Sequence, residues 1–371
     1  MYDAIIVGAG VAGCNIAYAL HKRGLKVLIV DQANSAASGG SGAAGAFVSP
    51  KIGKASPLQQ LTNEAFAFAI EFYQKEFPQH FHQTGVIRIP KDSKDNEKFT
   101  SYRTYNIDGF KDVCAQEIQA IGIESELGGF LFDEAGVCDA KELCCALIRD
   151  IEFKSMHVRT IKQEQAGWII NNQEQSKYLI LATGYQDKLI DLRYMGIRGT
   201  WGSRGDFKSS LNVTKSIHKD LSISKNMNGM IKIGATHNKA QSPCLECYNK
   251  PLAPLLQKAS NLIDVSQLEL LEVFCGMRSG SKDYRPLVGG VLDVEYMFKH
   301  YPKLTSGQKV NELKMLNNLF VFNGLGGRGF VFAPLMAKYL AQNIISGEAI
   351  DPRIDPNRLF LRWVRRLNES F

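Results

Sequence analysis

The chain opens on YDAIIVGAGVAGCNIAYALHKRGLKVLIVD, residues 2–31, and no other stretch restricts the fold as much. Tyr2–Val7 is a short, mostly apolar run containing β-branched residues, which predicts a strand. It breaks into Gly8-Ala9-Gly10-Val11-Ala12-Gly13. A helix-period segment follows to His21, with Gly24 as its stop and Val27–Val30 as a second strand. Gly8 permits the tight turn, Gly10 lets the backbone approach a pyrophosphate, and Gly13 lets helix and strand pack closely. Free amides at the helix start, helped by its dipole, hold phosphate. Asp31 closes the second strand, where a carboxylate accepts the ribose hydroxyls of an adenosine. The glycine pattern alone is weak, but in the order strand, turn, helix, strand, acid it predicts a dinucleotide site. A glycine turn used only for packing leaves Asp31 unexplained.

The rest of the chain selects the dinucleotide. Residues 35–46, SAASGGSGAAGA, are too small and polar for a core and too short for an interdomain linker. Such a run suits backbone wrapped around a pyrophosphate and a large planar ring, with Ser38, Gly39, Gly45 and Ala46 as candidate contacts. Tyr178–Thr183 followed by Gly184 is a buried strand ending at a glycine turn, which adds Thr183 and Gly184. Residues 319–330, LFVFNGLGGRGF, bring Gly324, Gly326, Gly327, Arg328 and Gly329 ahead of an apolar helix from about Ala333. A second helix N-terminus therefore faces a site. Its positive end is what the N1/O2 edge of a reduced, anionic flavin needs, whereas a nicotinamide enzyme needs no second loop. The expected cofactor is FAD.

GAGVAG…VD, SGGSGAAGA, LATG and NGLGGRGF, in that order, resemble the FAD-dependent amine oxidases typified by D-amino acid, glycine and sarcosine oxidases. Residues 37–50, Gly326-Gly327-Arg328-Gly329 with Ala333-Pro334-Leu335, and Pro356-Asn357-Arg358-Leu359 resemble a narrower family. It is the FAD-dependent C-terminal domain of the bifunctional tRNA 5-methylaminomethyl-2-thiouridine biosynthesis protein. That resemblance implies a glycine oxidase-like fold and tRNA as partner. It also implies oxidation of the carboxymethylaminomethyl group on the wobble uridine, releasing glyoxylate and leaving an aminomethyl group. In the family a separate N-terminal domain then methylates with S-adenosylmethionine. This chain begins at the FAD motif, so the expectation is either a separate methyltransferase or aminomethyluridine as the end product. The alternative is a small-molecule amine or amino-acid oxidase of the glycine or sarcosine type.

Residues 274–289, FCGMRSGSKDYRPLVG, resemble the G-L-R-P-G-T-x-D-x-x-P-x-I-G segment of glycine oxidases, which implies that Arg278 pairs with the substrate carboxylate at the flavin face. A planar, permanently charged fork suits a carboxylate beside an apolar ring. The competing expectation is a structural arginine paired with a neighbour such as Asp283. Ser279 stands where these relatives often have proline. Cys275 falls about where some sarcosine oxidases bond the flavin covalently; the tRNA family does not require that bond, and a buried thiol is expected. A single Cys244-x-x-Cys247 pair makes no zinc site, so no metal is expected. Cys144 and Cys145 lie in a helical pattern and read as core. Arg328 is expected to contact flavin or substrate, or else to form an ion pair on the back of its loop. Residues 196–205, with Arg198 and Arg204, read as a loop at the substrate mouth. In the tail, Arg358, Arg362, Arg365 and Arg366 share one helical face beside Trp363, a surface suited to tRNA backbone or merely to solvent.

At 371 residues and 45% hydrophobic, the chain can bury a large core, and an α/β architecture of two interleaved lobes is expected. Residues 1–80, 136–200 and 305–371 form a Rossmann-like FAD-binding lobe, including a helix begun by Asp139 and a hairpin over 157–178. Residues 81–135 and 201–304 form an α+β substrate lobe whose antiparallel sheet roofs the flavin, with Gly85–Ile89 and Met230–Gly234 as strands. Lys91–Lys98 reads as an exposed loop. No apolar run reaches the roughly 18–20 residues that span a bilayer, so no membrane association is expected. Eight cysteines without framework spacing point to reduced thiols and a cytoplasmic location. The formal charge of +7 is compatible with a polyanionic partner.

Overall fold

The computed structural model describes residues 1–105, 109–186, 189–239 and 252–367. Its first sheet grows from the N-terminal motif. Strand Tyr2–Val7 pairs parallel with Val27–Asp31 on one side and Glu174–Leu181 on the other. Glu174–Leu181 pairs parallel with Met315–Asn323, and Val27–Asp31 with Glu152–Ser155. The hairpin Ile161–Glu164 and Gly167–Ile170 completes one edge. Alternate residues of these strands enter different cores, because both faces are covered. Ala4, Ile6 and Ile29 pack with helices Val11–His21 and Gly329–Ser346. Ile5, Val7, Leu28 and Val30 pack with Tyr194, Met297 and Phe360.

The second sheet has eight strands and runs from Leu268–Gly280 at one edge to Lys111–Val113 at the other. Arg198–Ser209 pairs antiparallel with Leu268–Gly280 along its whole length. The sheet is not purely antiparallel as expected: Ser216–His218 runs parallel to Val86–Arg88, strands that lie far apart in sequence and are joined by no hairpin. A small third sheet holds Phe47–Val48, Phe81–His82 and Gly136–Cys138. Strand Leu287–Leu292 pairs with Met315–Asn323 and so belongs to the first sheet.

Several local expectations are corrected. Lys91–Lys98 lies mostly in a helix, Ser93–Tyr102, because Asp92 caps it by accepting from the Asp95 amide at 2.8 Å. The last long helix begins at Gly329, before Ala333, and contains Pro334. Proline offers no amide to the carbonyl four residues back. The buried Tyr73 hydroxyl donates to that Phe330 carbonyl at 2.8 Å instead. Asp139 precedes helix Ala140–Leu147 but makes no side-chain cap; its carboxylate meets His82 Nε2 at 2.7 Å. Cys144 is buried, whereas Cys145 is exposed. Among the described residues, no helix is long and apolar enough to cross a membrane.

Candidate active site

The N-terminal turn has no room for side chains at two positions. A Cβ at Gly8, whose φ is +109°, would collide with the Ala182 carbonyl, and one at Gly13 would collide with the Gly8 carbonyl. Gly10 stands at the start of helix Val11–His21, where the Val11 amide donates to Ser41 Oγ at 2.9 Å. Asp31 accepts from the Ala9 amide at 2.7 Å and the Ala33 amide at 2.9 Å, so its carboxylate is aimed at the glycine turn.

The serine–glycine run folds over this turn and then onto the second sheet. Ser38 closes its own bend by donating to the Ser35 carbonyl at 2.7 Å. Gly39 borders open space, and Gly40 lies so close to the Met277 carbonyl that no Cβ fits. Gly276 meets the Gly40 Cα in the same way. Gly45 precedes Phe47 closely, and Ala46 takes a φ of +51° while its carbonyl accepts from the Cys138 amide at 3.0 Å. Thr183 donates to the Gln186 carbonyl, and the Gly184 carbonyl accepts from Ser279 Oγ at 2.9 Å. Gly324 and Gly326 have positive φ, and Leu325 bridges to Gly280. A Cβ at Gly329 would lie 2.9 Å from Val11 Cγ1. The three glycine segments therefore converge on the end of strand Leu268–Gly280, which carries Arg278.

Arg278 lies across Gly202, where any Cβ would collide with its guanidinium, and passes beside Gly327. Its Nη1 donates to the Thr236 carbonyl at 3.2 Å and lies 3.3 Å from His237 Nδ1. Burial pushes its pKa down, and among the described residues no carboxylate pairs with it. Burial, and then Arg278, push the His237 pKa down as well, which favours a neutral acceptor. Asp283, the alternative partner, is taken: Arg358 holds it bidentately at 2.9 Å for both bonds. Arg358 is thereby removed from the basic tail face.

Arg328 forms no ion pair among the described residues. Its Nη1 donates to the Ser49 carbonyl at 3.1 Å, and burial pushes its pKa down to about 10. Arg204 is no mouth residue. It is buried in strand Arg198–Ser209, paired with Asp206 at 2.8 Å, donates to the Ala44 carbonyl and lies over Phe274. The expected loop is mostly strand, and within residues 196–205 only Arg198 is exposed. Cys275 is half-buried with its Sγ 3.2 Å from Ser203 Oγ. Cys244 and Cys247 lie outside the described residues. No group of three or more metal-binding side chains occurs among the described residues. Gly202, His237 and Arg88 were missed by sequence reasoning. Gly202 carries a faint signal, a glycine facing Gly276 across paired strands.

The family described as FAD dependent oxidoreductase (DAO) matches residues 3–343. The tRNA 5-methylaminomethyl-2-thiouridine biosynthesis bifunctional protein of Legionella pneumophila strain Philadelphia 1 is 27% identical over 97% of this chain and 57% of its own length. The protein of the same name from Leptospira interrogans is 25% identical over 97% of the chain and 61% of its length. The chain thus spans about three-fifths of these relatives. Glycine oxidase from Bacillus cereus superposes with a TM-score of 0.77 at 20% identity, covering 94% of this chain and 96% of that one. Iminodiacetate oxidase from Chelativorans sp. BNC1 gives 0.73 at 16%, covering 95% and 98%. These two likenesses establish a shared glycine oxidase-like fold. The family match runs from the first strand through the last long helix, across all three glycine segments and Arg278, and the chain belongs to the FAD-dependent oxidoreductases.

Proposed function

We propose that this protein oxidises the carboxymethylaminomethyl group of the wobble uridine in tRNA, giving aminomethyluridine and glyoxylate. The observation that carries this reading is Arg278, a half-buried guanidinium without a carboxylate partner among the described residues, at the meeting point of three glycine segments. Similarity over 97% of the chain to proteins named for tRNA thiouridine biosynthesis supports the substrate class. Gly8, Gly10 and Gly13 fit the FAD pyrophosphate, Asp31 the adenosine ribose, and Ser38, Gly39, Gly45, Ala46, Thr183, Gly184, Gly324, Gly326, Gly327 and Gly329 the rest of the cofactor. This division makes residues 1–80, 136–200 and most of 287–371 the FAD lobe, with the second sheet as the substrate lobe.

Bound FAD supplies the two-electron acceptor for the hydride of the N–CH2 carbon. Arg278 grips the substrate carboxylate, and the neutral His237 and the Thr236 carbonyl hold its Nη1 edge. Gly202 lets the fork lie flat against the strand. The arginine contributes orientation rather than proton transfer. The oxidised N=C bond then adds water, the C–N bond breaks, and glyoxylate leaves with the amine retained on the uridine.

The test is incubation of the FAD-loaded protein with tRNA carrying carboxymethylaminomethyluridine, followed by mass spectrometry of the nucleosides and assay of glyoxylate. Conversion to aminomethyluridine, far faster than turnover of glycine or sarcosine, is expected. Rapid sarcosine oxidation with untouched tRNA would replace this reading by the small-molecule oxidase.

A further inference from the structure

A second group of cations lies around Ser49, apart from Arg278. Arg88, at the end of strand Val86–Arg88, donates through Nη2 to Ser49 Oγ at 3.2 Å and to the Pro50 carbonyl at 3.0 Å. Arg328 reaches the Ser49 carbonyl from the third glycine loop. Lys51 follows two residues later in the same segment, close enough that both arginines lower its pKa, after burial. Burial and then Arg328 likewise push Arg88 down to about 9. His218 completes the wall, with Nε2 3.3 Å from Ser49 Oγ, Nδ1 2.6 Å from Ser222 Oγ and its ring against Phe47.

Three permanent or near-permanent positive charges thus cluster around the Ser49–Lys51 segment. Among the described residues none of them has a carboxylate partner, and the buried Nε of Arg88 has no hydrogen-bond partner at all. Crowding like charges out of water is costly, and a fold built only for stability would place an acid among them. The backbone carbonyls of Ser49 and Pro50 fix the two guanidinium groups but do not neutralise them. Among the described residues no hydrogen bond joins Arg88, Arg328 or Lys51 to Arg278, which bonds Thr236 and His237 and passes beside Gly327, the neighbour of Arg328 in the chain.

We propose that Arg88, Arg328 and Lys51 form an oxyanion subsite, separate from the Arg278 clamp, which takes a second anionic group of the substrate. The chemistry fits a phosphodiester flanking a target nucleoside, or a second carboxylate on a small amine. The subsite itself does not depend on the tRNA reading; only the choice of phosphodiester does.

Calorimetric titration of the FAD-loaded protein with inorganic phosphate, at constant ionic strength set with sodium chloride, tests it. Saturable binding is expected, weakened at least about tenfold in Lys51→Met, restored in Lys51→Arg and unchanged in Arg278→Met. Absence of saturable binding, or loss in Arg278→Met with none in Lys51→Met, overturns the subsite. Competition then identifies the source. Displacement of phosphate by the dinucleotide uridylyl-uridine supports a phosphodiester. Displacement by iminodiacetate alone keeps the subsite but removes the tRNA reading. Displacement by neither means an adventitious ion only and overturns the proposal.

Discussion

Arg278 separates binding from folding, because it salt-bridges no described residue. If it grips the substrate carboxylate in a water-poor pocket, its loss costs roughly 2–5 kcal/mol. At about 1.4 kcal/mol per tenfold, kcat/KM of Arg278→Ala should fall roughly 30- to 4000-fold. Arg278→Lys should recover part of this, since an ammonium keeps charge but loses the fork. FAD content and melting temperature should barely change. A structural arginine predicts the reverse, lost flavin or stability with near-normal turnover, and both are measured on one preparation. His218 gives a different test. Burial, then Arg88 and Arg328, hold its pKa well below the ordinary value, while an unfolded histidine titrates near 6.5. Below about pH 6.5 the unfolded chain therefore binds a proton that the folded one refuses. Stability should fall with acidification by up to about 1.4 kcal/mol per pH unit from this group, with His237 adding in the same direction. Urea unfolding at pH 7.5 and 5.5 should show a shallower pH dependence for His218→Gln. An identical pH dependence in both proteins would refute the assignment.

Among the elements, the C-terminal helix Phe360–Leu367 carries the proposed tRNA contact. Phe360 and Val364 are buried, and Trp363 packs against Phe298, which leaves Arg362 and Arg365 exposed on the outer side. Replacing both with alanine should lower the salt slope of tRNA binding by about 1.4, at roughly 0.7 per phosphate contact to a single strand. The flavin spectrum should stay as it was. Unchanged slope would leave the helix face merely solvated. This element was legible because its period is regular, and the nucleotide motif was legible because strand, turn and helix signals agree over thirty residues. Strand Arg198–Ser209 was not. Gly199, Gly202 and Gly205 depress strand propensity, and the register that gives them meaning lies opposite, in Phe274–Gly280. Helix Ser93–Tyr102 was missed for a plainer reason: it buries only Phe99, so no apolar stripe announces it. The Ser49 cluster was beyond reach from sequence, since Arg88, Arg328 and Lys51 meet only through the packing of both sheets.

At the scale of the whole molecule, the serine–glycine run meets the arginine strand of the second sheet backbone to backbone. Gly40 presses on the Met277 carbonyl, and Gly276 on the Gly40 Cα. Gly40→Ser should therefore force the serine–glycine run away from the arginine strand, costing about 1–3 kcal/mol by overpacking. FAD retention on desalting and the thermal midpoint should drop together in this variant. Normal values of both would show that the run can shift at no cost. The bidentate Asp283–Arg358 pair draws the C-terminal segment onto the turn after the same strand. A contact this bare tolerates no independent drift, which bears on how such enzymes can be re-engineered. Substrate lobes from a relative cannot be grafted as free-standing cassettes. A working chimaera has to import residues 35–46, the 274–285 strand and turn, and the matching tail as one inheritance unit, and exchanges that split this unit should yield colourless protein.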